Sequence, residues 1–470
     1  MEAPADEHQM SDFEALMWNL EKDPRLSSNM GNLNIFDRCP DVDRLRATLE
    51  RATVVFPRLR QRVAPVFGRL APPRWELDPD FDIDHHFKVI SLGGRGTRRD
   101  LDDYVARSIM TPFDRRRPLW EFVLIEGLRG GKAAMVQRLH HTITDGQGGL
   151  RLSLEFLDFE RDAPQRELVE APVVHHHDPS LVDSVTDAVG HVARRQLGIV
   201  RRAASEAASG LRHSATHPTS IADQASRTVE FIGSTMRQVN VGDHPLSSLW
   251  VDRSLSRAFR RLDVRLERMR SAANRFEVSI NDVFVAGALL GAADYHRSAG
   301  TPAERLRMAM PVSHRTDKSV GGNLFAPTQS TLPATVTTPA EAIAAVHEVL
   351  QRTKSESATA AMASFAGAIN LLPTSVVTSM GFRIASTVDF VTSNLRAAPF
   401  DTFMAGALVE SSYPVGPLAG SAFNLTTMSF RGVLDMGLFV DTAAVADVDL
   451  LAASLADAYK RIATAKPVLR

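Results

Sequence analysis

Two stretches of alternating strand and helix signals flank a long segment of different texture, and this division constrains the fold more than any other feature. In the first stretch, residues 12–20 place Phe13, Leu16, Met17 and Leu20 on one helical face. Residues 33–36 read as a strand. Cys39-Pro40-Asp41 stops that strand and opens a helix running to about Thr53. Residues 119–126 and 133–139 read as two strands joined by a glycine-rich turn, with a helix following at 148–157. The second stretch contains an apolar helix at 283–293, for which Ser279 or Asn281 can serve as cap. It also contains a strand at 306–312, paired strands at 423–428 and 434–440, and a closing helix at 447–462. Between them, 162–180 is rich in Pro, Glu and His, as suits a linker. Residues 181–211 then form a basic amphipathic pattern that suits a linker helix packed on its own protein, or one lying on an anionic membrane. The expected class is α/β (α+β), with halves at 11–170 and 246–470 and a linker at 171–245. A chain of 470 residues is too long for one ordinary core, which agrees with that division.

Charge and cysteine content narrow the function. There are 54 basic and 55 acidic residues, so a polycation built to coat nucleic acid is excluded, and no nucleic acid is expected as a partner. The skew toward arginine, with only seven lysines, suggests a G+C-rich bacterial genome. The single cysteine, Cys39, cannot form an internal disulfide, and residues 1–10 carry no basic, apolar leader, so a cytoplasmic location is expected. The uncharged run 357–382 is too rich in Ala, Ser and Thr to read as a membrane span, and reads instead as a buried helix or a lipid-touching lid.

The sharpest chemical signal is Leu139-His140-His141-Thr142-Ile143-Thr144-Asp145-Gly146, placed between a strand and a helix. An imidazole is basic and largely neutral near pH 7, so it can take a proton from a hydroxyl that attacks an acyl carbonyl, typically for about 10²–10⁴-fold in rate. A carboxylate on the same loop can hold its shape, and glycine permits a tight turn. The plainer alternative is a pair of strand-end histidines satisfied by backbone, followed by an ordinary Asp-Gly turn. Other clusters fail. Asp84-His85-His86 lacks a following Asp-Gly and is expected at a strand edge. His175-His176-His177 has no second ligand pair at metal spacing, so no metal is expected. Residues 127–132 miss the phosphate-loop spacing and read as a hairpin turn. No Gly-x-Ser-x-Gly elbow is present, and Cys39 beside Pro40 is a poor nucleophile.

Several motifs in order resemble the bacterial wax ester synthase/acyl-CoA:diacylglycerol acyltransferase family. They are residues 12–16, Pro118-Leu119-Trp120-Glu121, the double-histidine stretch, Asn281-Asp282, and Pro311 to Arg315 followed by Gly322-Asn323. Residues 406–420 and 424–437 resemble its C-terminal strands. The resemblance implies two chloramphenicol-acetyltransferase-like halves joined by a helical linker, with a channel between them. It makes His141 the general base, His140 its supporting neighbour, Asp145 a loop-orienting residue and Gly146 a conformational one. It implies that Asp145 pairs with an arginine of the other half, for which Arg315 is the candidate. Pro118, Leu119, Trp120, Asn281 and Asp282 are implied to shape the substrate channel; helix capping is the alternative for the last two. The implied substrates are long-chain acyl-CoA and either diacylglycerol or a long-chain alcohol, with no cofactor beyond the CoA thioester. A peripheral membrane or lipid-droplet surface is the implied docking partner. Rival readings are a non-catalytic lipid-binding protein and a carrier-dependent condensation enzyme. One departure stands out: Ser393-Asn394-Leu395-Arg396-Ala397-Ala398-Pro399 replaces the family's Ser-Asn-Val-Pro-Gly-Pro run, which puts local channel geometry and acceptor choice in question.

Overall fold

The computed structural model describes residues 9–64, 72–93, 96–144, 146–167, 169, 244–313, 325–355 and 373–467. Asp145, Arg315, the histidine run at 175–177 and the basic pattern at 181–211 lie outside them. Within the described residues the chain runs α1 (Asp12–Leu20), β1 (Asn29–Phe36), α2 (Val42–Val55), β2 (Gln61–Ala64), β3 (Arg74–Leu77), β4 (Phe87–Ser91), α3 (Arg98–Met110), β5 (Trp120–Glu126), β6 (Ala133–His140) and α4 (Gly146–Ser153). After the linker come β7 (Arg257–Arg265), α5 (Leu266–Arg275), α6 (Ile280–Ser298), β8 (Arg305–Ser313), β9 (Phe325–Pro333), α7 (Pro339–Ser355) and α8 (Thr374–Ala385). The chain closes with β10 (Phe390–Arg396), β11 (Phe403–Met404), β12 (Ala407–Val415), β13 (Phe423–Phe430), β14 (Val433–Asp441) and α9 (Val448–Thr464).

Two six-stranded sheets organise the molecule, in the orders β11-β12-β1-β6-β5-β4 and β7-β14-β13-β10-β8-β9. The first sheet is not built from the first half alone. β12, from late in the chain, pairs antiparallel with β1 in the register Gly31↔Val415 to Phe36↔Val409. The chain thus crosses from the second sheet into the first and back. At the crossing the backbones nearly touch: a Cβ placed on Gly437 in β14 would lie 1.8 Å from the Pro414 carbonyl oxygen in β12. Glycine is required there by space rather than by backbone conformation.

Each sheet has a core of its own, and a further apolar cluster joins Leu33, Val123 and Val136 of the first sheet to Phe259 and Phe439 of the second. In the second half, α6 is buried almost all round, as its uninterrupted apolar sequence demands. Ser279 and Asp282 cap it reciprocally. It belongs to a cluster that includes Leu451 and Leu455 of α9 and Val346 of α7. In the first half, Phe122, Leu124, Met135 and Leu139 of the β5–β6 hairpin meet Leu45 and Leu49 of α2. The halves are pinned by a buried pair, Arg261 Nε to Asp102 Oδ1 at 2.7 Å, between β7 and α3. Of the uncharged run 357–382, the described part enters α8, which packs on α1 closely enough that a Cβ on Gly381 would lie 2.4 Å from Leu20 Cδ2; just beyond α1, the Arg25 guanidinium lies 3.6 Å above the Phe382 ring. Among the described residues, no single helix is long and apolar enough to cross a membrane.

Candidate active site

The double histidine sits where β6 ends. His140 still occupies the sheet, opposite Asn29 of β1, and its amide donates to the Leu119 carbonyl. The chain then turns sharply, with the Ile143 amide donating to the His140 carbonyl at 2.9 Å and the His141 amide to Ser28 O at 3.0 Å. α4 begins at Gly146.

The two rings have different surroundings. His140 is fully buried, with 0% of its surface exposed. Its Nδ1 accepts the Thr142 amide at 3.2 Å and lies 2.6 Å from the Thr142 hydroxyl. An accepting Nδ1 puts the ring hydrogen on Nε2. That nitrogen faces the Glu21 carboxylate at 3.0 Å. Trp18 stands edge-on to the ring at 6.1 Å. His141, one residue further, is only partly buried. Of the two, His140 is sealed, with Nδ1 hydrogen-bonded and Nε2 in ionic contact with Glu21, while His141 lies on a backbone fixed by hydrogen bonds and, although its Nδ1 is buried, retains exposed surface.

Glu21, the residue that ends α1, was not singled out by its sequence context. It collects donors from several elements: the His140 ring, the Ser27 hydroxyl at 3.0 Å and Arg115 at 3.3 Å. Burial alone pushes its carboxyl up. Contact with His140, the Ser27 hydroxyl and the charge of Arg115 outweigh that, and it sits below the usual carboxylate value. Thr142, a variable position of the motif pattern, was also missed. No local pattern announces Glu21, because its partner lies on a strand far along the chain.

The predicted channel residues fall in two places. Pro118, Leu119 and Trp120 are buried beside the double histidine, with Trp120 paired to Leu139 in the β5–β6 ladder. The Trp120 indole donates to Leu59 O at 2.8 Å and stacks on His86 at 4.6 Å. Asn281 and Asp282 sit at the start of α6, and their hydrogen-bond partners are in the second half. Asn281 meets Asn394 of β10 at 3.4 Å and Met310 Sδ at 3.6 Å. Asp282 caps α6 and contacts His347 Nδ1 at 3.0 Å. The altered 393–399 run continues β10 as far as Arg396 and then packs Ala397 and Ala398 on the first-half core.

The Asp84-His85-His86 stretch leads into β4, the edge strand of the first sheet, as its sequence suggests, but the His86 ring is buried, sandwiched between Phe81 and Trp120. Burial drives its pKa down to about 4. The sequence could not show this because its aromatic neighbours come from a separate turn and strand. Another pair resembles a nucleophile and its base: Ser247 Oγ lies 2.7 Å from His296 Nε2. Both are buried, His296 Nδ1 is held by Ala292 O, and the serine oxygen caps the Leu249 and Trp250 amides, so the pair is structural. The Cys39 thiol is pushed up to about 11 by partial burial and by Glu126, leaving it protonated at neutral pH. Among the described residues, no group of three or more His, Cys, Asp or Glu side chains is arranged to hold a metal ion.

Comparison with known proteins places this geometry. Residues 10–284 match the family described as the wax ester synthase/diacylglycerol acyltransferase catalytic domain, and 321–463 match the WS/DGAT C-terminal domain. The chain belongs to this family. It is an O-acyltransferase. A Mycobacterium tuberculosis protein named as a diacylglycerol O-acyltransferase is 31% identical over 98% of this chain and 93% of its own length. The O-acyltransferase WSD of Acinetobacter baylyi is 28% identical over 80% of each chain. The solved wax ester synthase/diacylglycerol acyltransferase of Marinobacter aquaeolei VT8 shares the fold, with a TM-score of 0.65 and 21% identity over 97% of this chain and 98% of that one. A condensation domain of the calcium-dependent antibiotic synthetase shares it as well, with a TM-score of 0.57 and 17% identity over 98% of each chain. The two-halved acyltransferase fold implied by the sequence motifs is therefore the observed one.

Proposed function

We propose that this protein transfers a long-chain acyl group from CoA to the free hydroxyl of diacylglycerol, making triacylglycerol, with His141 as the general base. The observation that carries the assignment of the base is the contrast between the adjacent rings. His140 has both nitrogens engaged inside the protein and no surface, so it cannot meet a substrate. His141 follows on a rigid turn and is partly open.

The steps follow from this placement. Neutral His141 takes the acceptor hydroxyl proton as the oxygen attacks the thioester carbonyl. A tetrahedral intermediate forms and collapses, and the imidazolium returns the proton to the departing CoA thiolate. The thioester supplies the activation, so the scheme needs no resident metal or cofactor and no acyl-enzyme. His140, held by Glu21 and Thr142, acts as a strut for the turn. Asp145 and Gly146 keep the roles expected of them as loop-orienting and conformational residues, with Arg315 the proposed partner of Asp145. The enzyme works in the cytoplasm and meets its lipid at a membrane or lipid-inclusion surface.

The test is CoA thiol release from palmitoyl-CoA with diacylglycerol, with hexadecanol, or with neither. Diacylglycerol is expected to stimulate release most. Equal release without any alcohol overturns the transferase scheme, and a preference for hexadecanol reassigns the chain to wax ester synthesis. His141→Ala is expected to lose about 10²-fold or more in kcat while its thermal midpoint holds.

A further inference from the structure

Two phenylalanines from distant parts of the sequence stand out of the surface together. Phe159 is 60% exposed and Phe400 is 52% exposed, and their rings meet edge-to-face at 5.6 Å. Phe159 is on the loop after α4, the helix that follows the double histidine, and Leu154 on the same loop is 52% exposed. Phe400 is on the loop that carries the chain from β10 in the second sheet to β11 in the first.

These loops are held in place. Asp158 and Phe403 exchange two backbone hydrogen bonds of 2.8 Å, one residue from Phe159. Asp401, next to Phe400, is bound by Arg431 at 2.7 Å. Arg161 donates to Gly406 O and lies over the Phe403 ring. The phenylalanines are therefore presented on anchored backbone. In the chain just before Phe159 and Phe400, Leu152, Phe156 and Leu157 share one apolar cluster with Ile143 of the histidine loop and with Ala397 and Ala398.

We propose that Phe159 and Phe400 form a docking tip that inserts into the surface of a phospholipid bilayer carrying the diacylglycerol acceptor. The proposal rests on the lipid-borne acceptor of the preceding section. The three exposed side chains present on the order of 300 Å², well below the about 800 Å² per partner of a stable protein interface. An aromatic pair of that size suits shallow insertion among headgroups and acyl chains. Charge also fits an uncharged lipid surface: Asp158, Glu155 and Asp401 of these loops are each matched by an arginine, Arg44, Arg51 and Arg431. Glu160 and Asp162 beside Phe159 are exposed, so the tip has no basic surplus to draw it to anionic lipid, and its binding is expected to persist at high salt.

The test is flotation of the full chain with vesicles of dioleoylphosphatidylcholine containing dioleoylglycerol, at high salt so that the basic linker pattern contributes little. Phe159→Ser/Phe400→Ser is expected to lower the bound fraction about tenfold or more, whereas Phe159→Leu/Phe400→Leu retains most of it. Turnover of a short-chain acyl-CoA with dissolved hexanol is expected to be unchanged in both variants, which also shows that they fold. Wild-type binding by the serine variant, or failure of the wild type to float, overturns the proposal. A dimer of the wild type that dissociates in the serine variant overturns it too, by assigning the tip to a second copy. Should neither alcohol nor diacylglycerol support CoA release, the acyl-transfer reading fails, while flotation still decides the docking tip.

Discussion

Glu21→Gln tests how the double histidine is held. The wild-type carboxylate faces three donors: His140 Nε2 at 3.0 Å, Ser27 Oγ at 3.0 Å and Arg115 at 3.3 Å. The amide keeps the volume, removes the charge and turns one acceptor into a donor. With the amide oxygen toward His140 and Arg115, the NH₂ meets the Ser27 hydroxyl, which can turn to accept it, so the change removes charge rather than hydrogen bonds. Exchanging charge-assisted contacts for neutral ones costs about 1–3 kcal/mol at a site this enclosed. For a chain of 470 residues that lowers the thermal midpoint by about 1–3 °C. The kinetic effect is larger than the stability effect suggests. His140 props the turn that carries His141, and a displacement of about 1 Å at a reacting group costs on the order of 10²-fold. The expected outcome is a kcat lower by about 10- to 100-fold with KM for acyl-CoA little changed, measured by CoA thiol release. The pH dependence has a definite sign. Because the Glu21 carboxyl lies below its ordinary 4.5, its stabilisation is present above that pH and is lost as pH falls through the folded value. The stability gap between wild type and variant should therefore close in acid. The clamp also predicts coupling: Glu21→Gln/His140→Asn should be little worse than the worse single variant. Wild-type kcat in Glu21→Gln, or additive losses in the double variant, would refute the reasoning.

Three further outcomes follow from the packing. His86, with its pKa near 4, is neutral when folded but accepts a proton when unfolded below about 6.5, so stability should fall by about 3 kcal/mol as pH drops from 6.5 to 4. In His86→Phe that part of the pH dependence should be absent from urea unfolding; an unaltered slope contradicts the buried assignment. Gly437→Ala drives a methyl into the Pro414 carbonyl and should destabilise by about 3 kcal/mol or more, so a variant with the wild-type urea midpoint would remove the close crossing. For the buried pair between the halves, burial raises Asp102 and lowers Arg261 despite their mutual attraction. Its net contribution is accordingly small, yet Asp102→Asn alone should cost about 3–5 kcal/mol, while Asp102→Asn/Arg261→Met recovers most of the loss in equilibrium unfolding.

Much of the local structure was legible from composition and spacing. The hairpin of β5 and β6 reads from its β-branched and aromatic runs around a glycine turn, and the start of α6 from Ser279 ahead of an apolar stretch. α3 and β12 were harder. α3 buries only a narrow stripe, including Leu101, Val105 and Ile109, among many charges. β12 alternates too weakly between Val409 and Tyr413 to announce which sheet it joins.

The amino-acid sequence by itself determined the chemistry on offer: a double histidine at a strand end, with a glycine ready to turn the chain, and family motifs in order along both halves. These are short-range patterns, written in neighbouring residues. Only the tertiary structure decided which histidine is sealed and which keeps surface, because that depends on Glu21 and Trp18 arriving from α1 beside a strand more than a hundred residues away. It also decided that β12 completes the first sheet and that Phe159 meets Phe400. Both are consequences of chain crossing, which packing and backbone pairing settle over the whole molecule and no local window records.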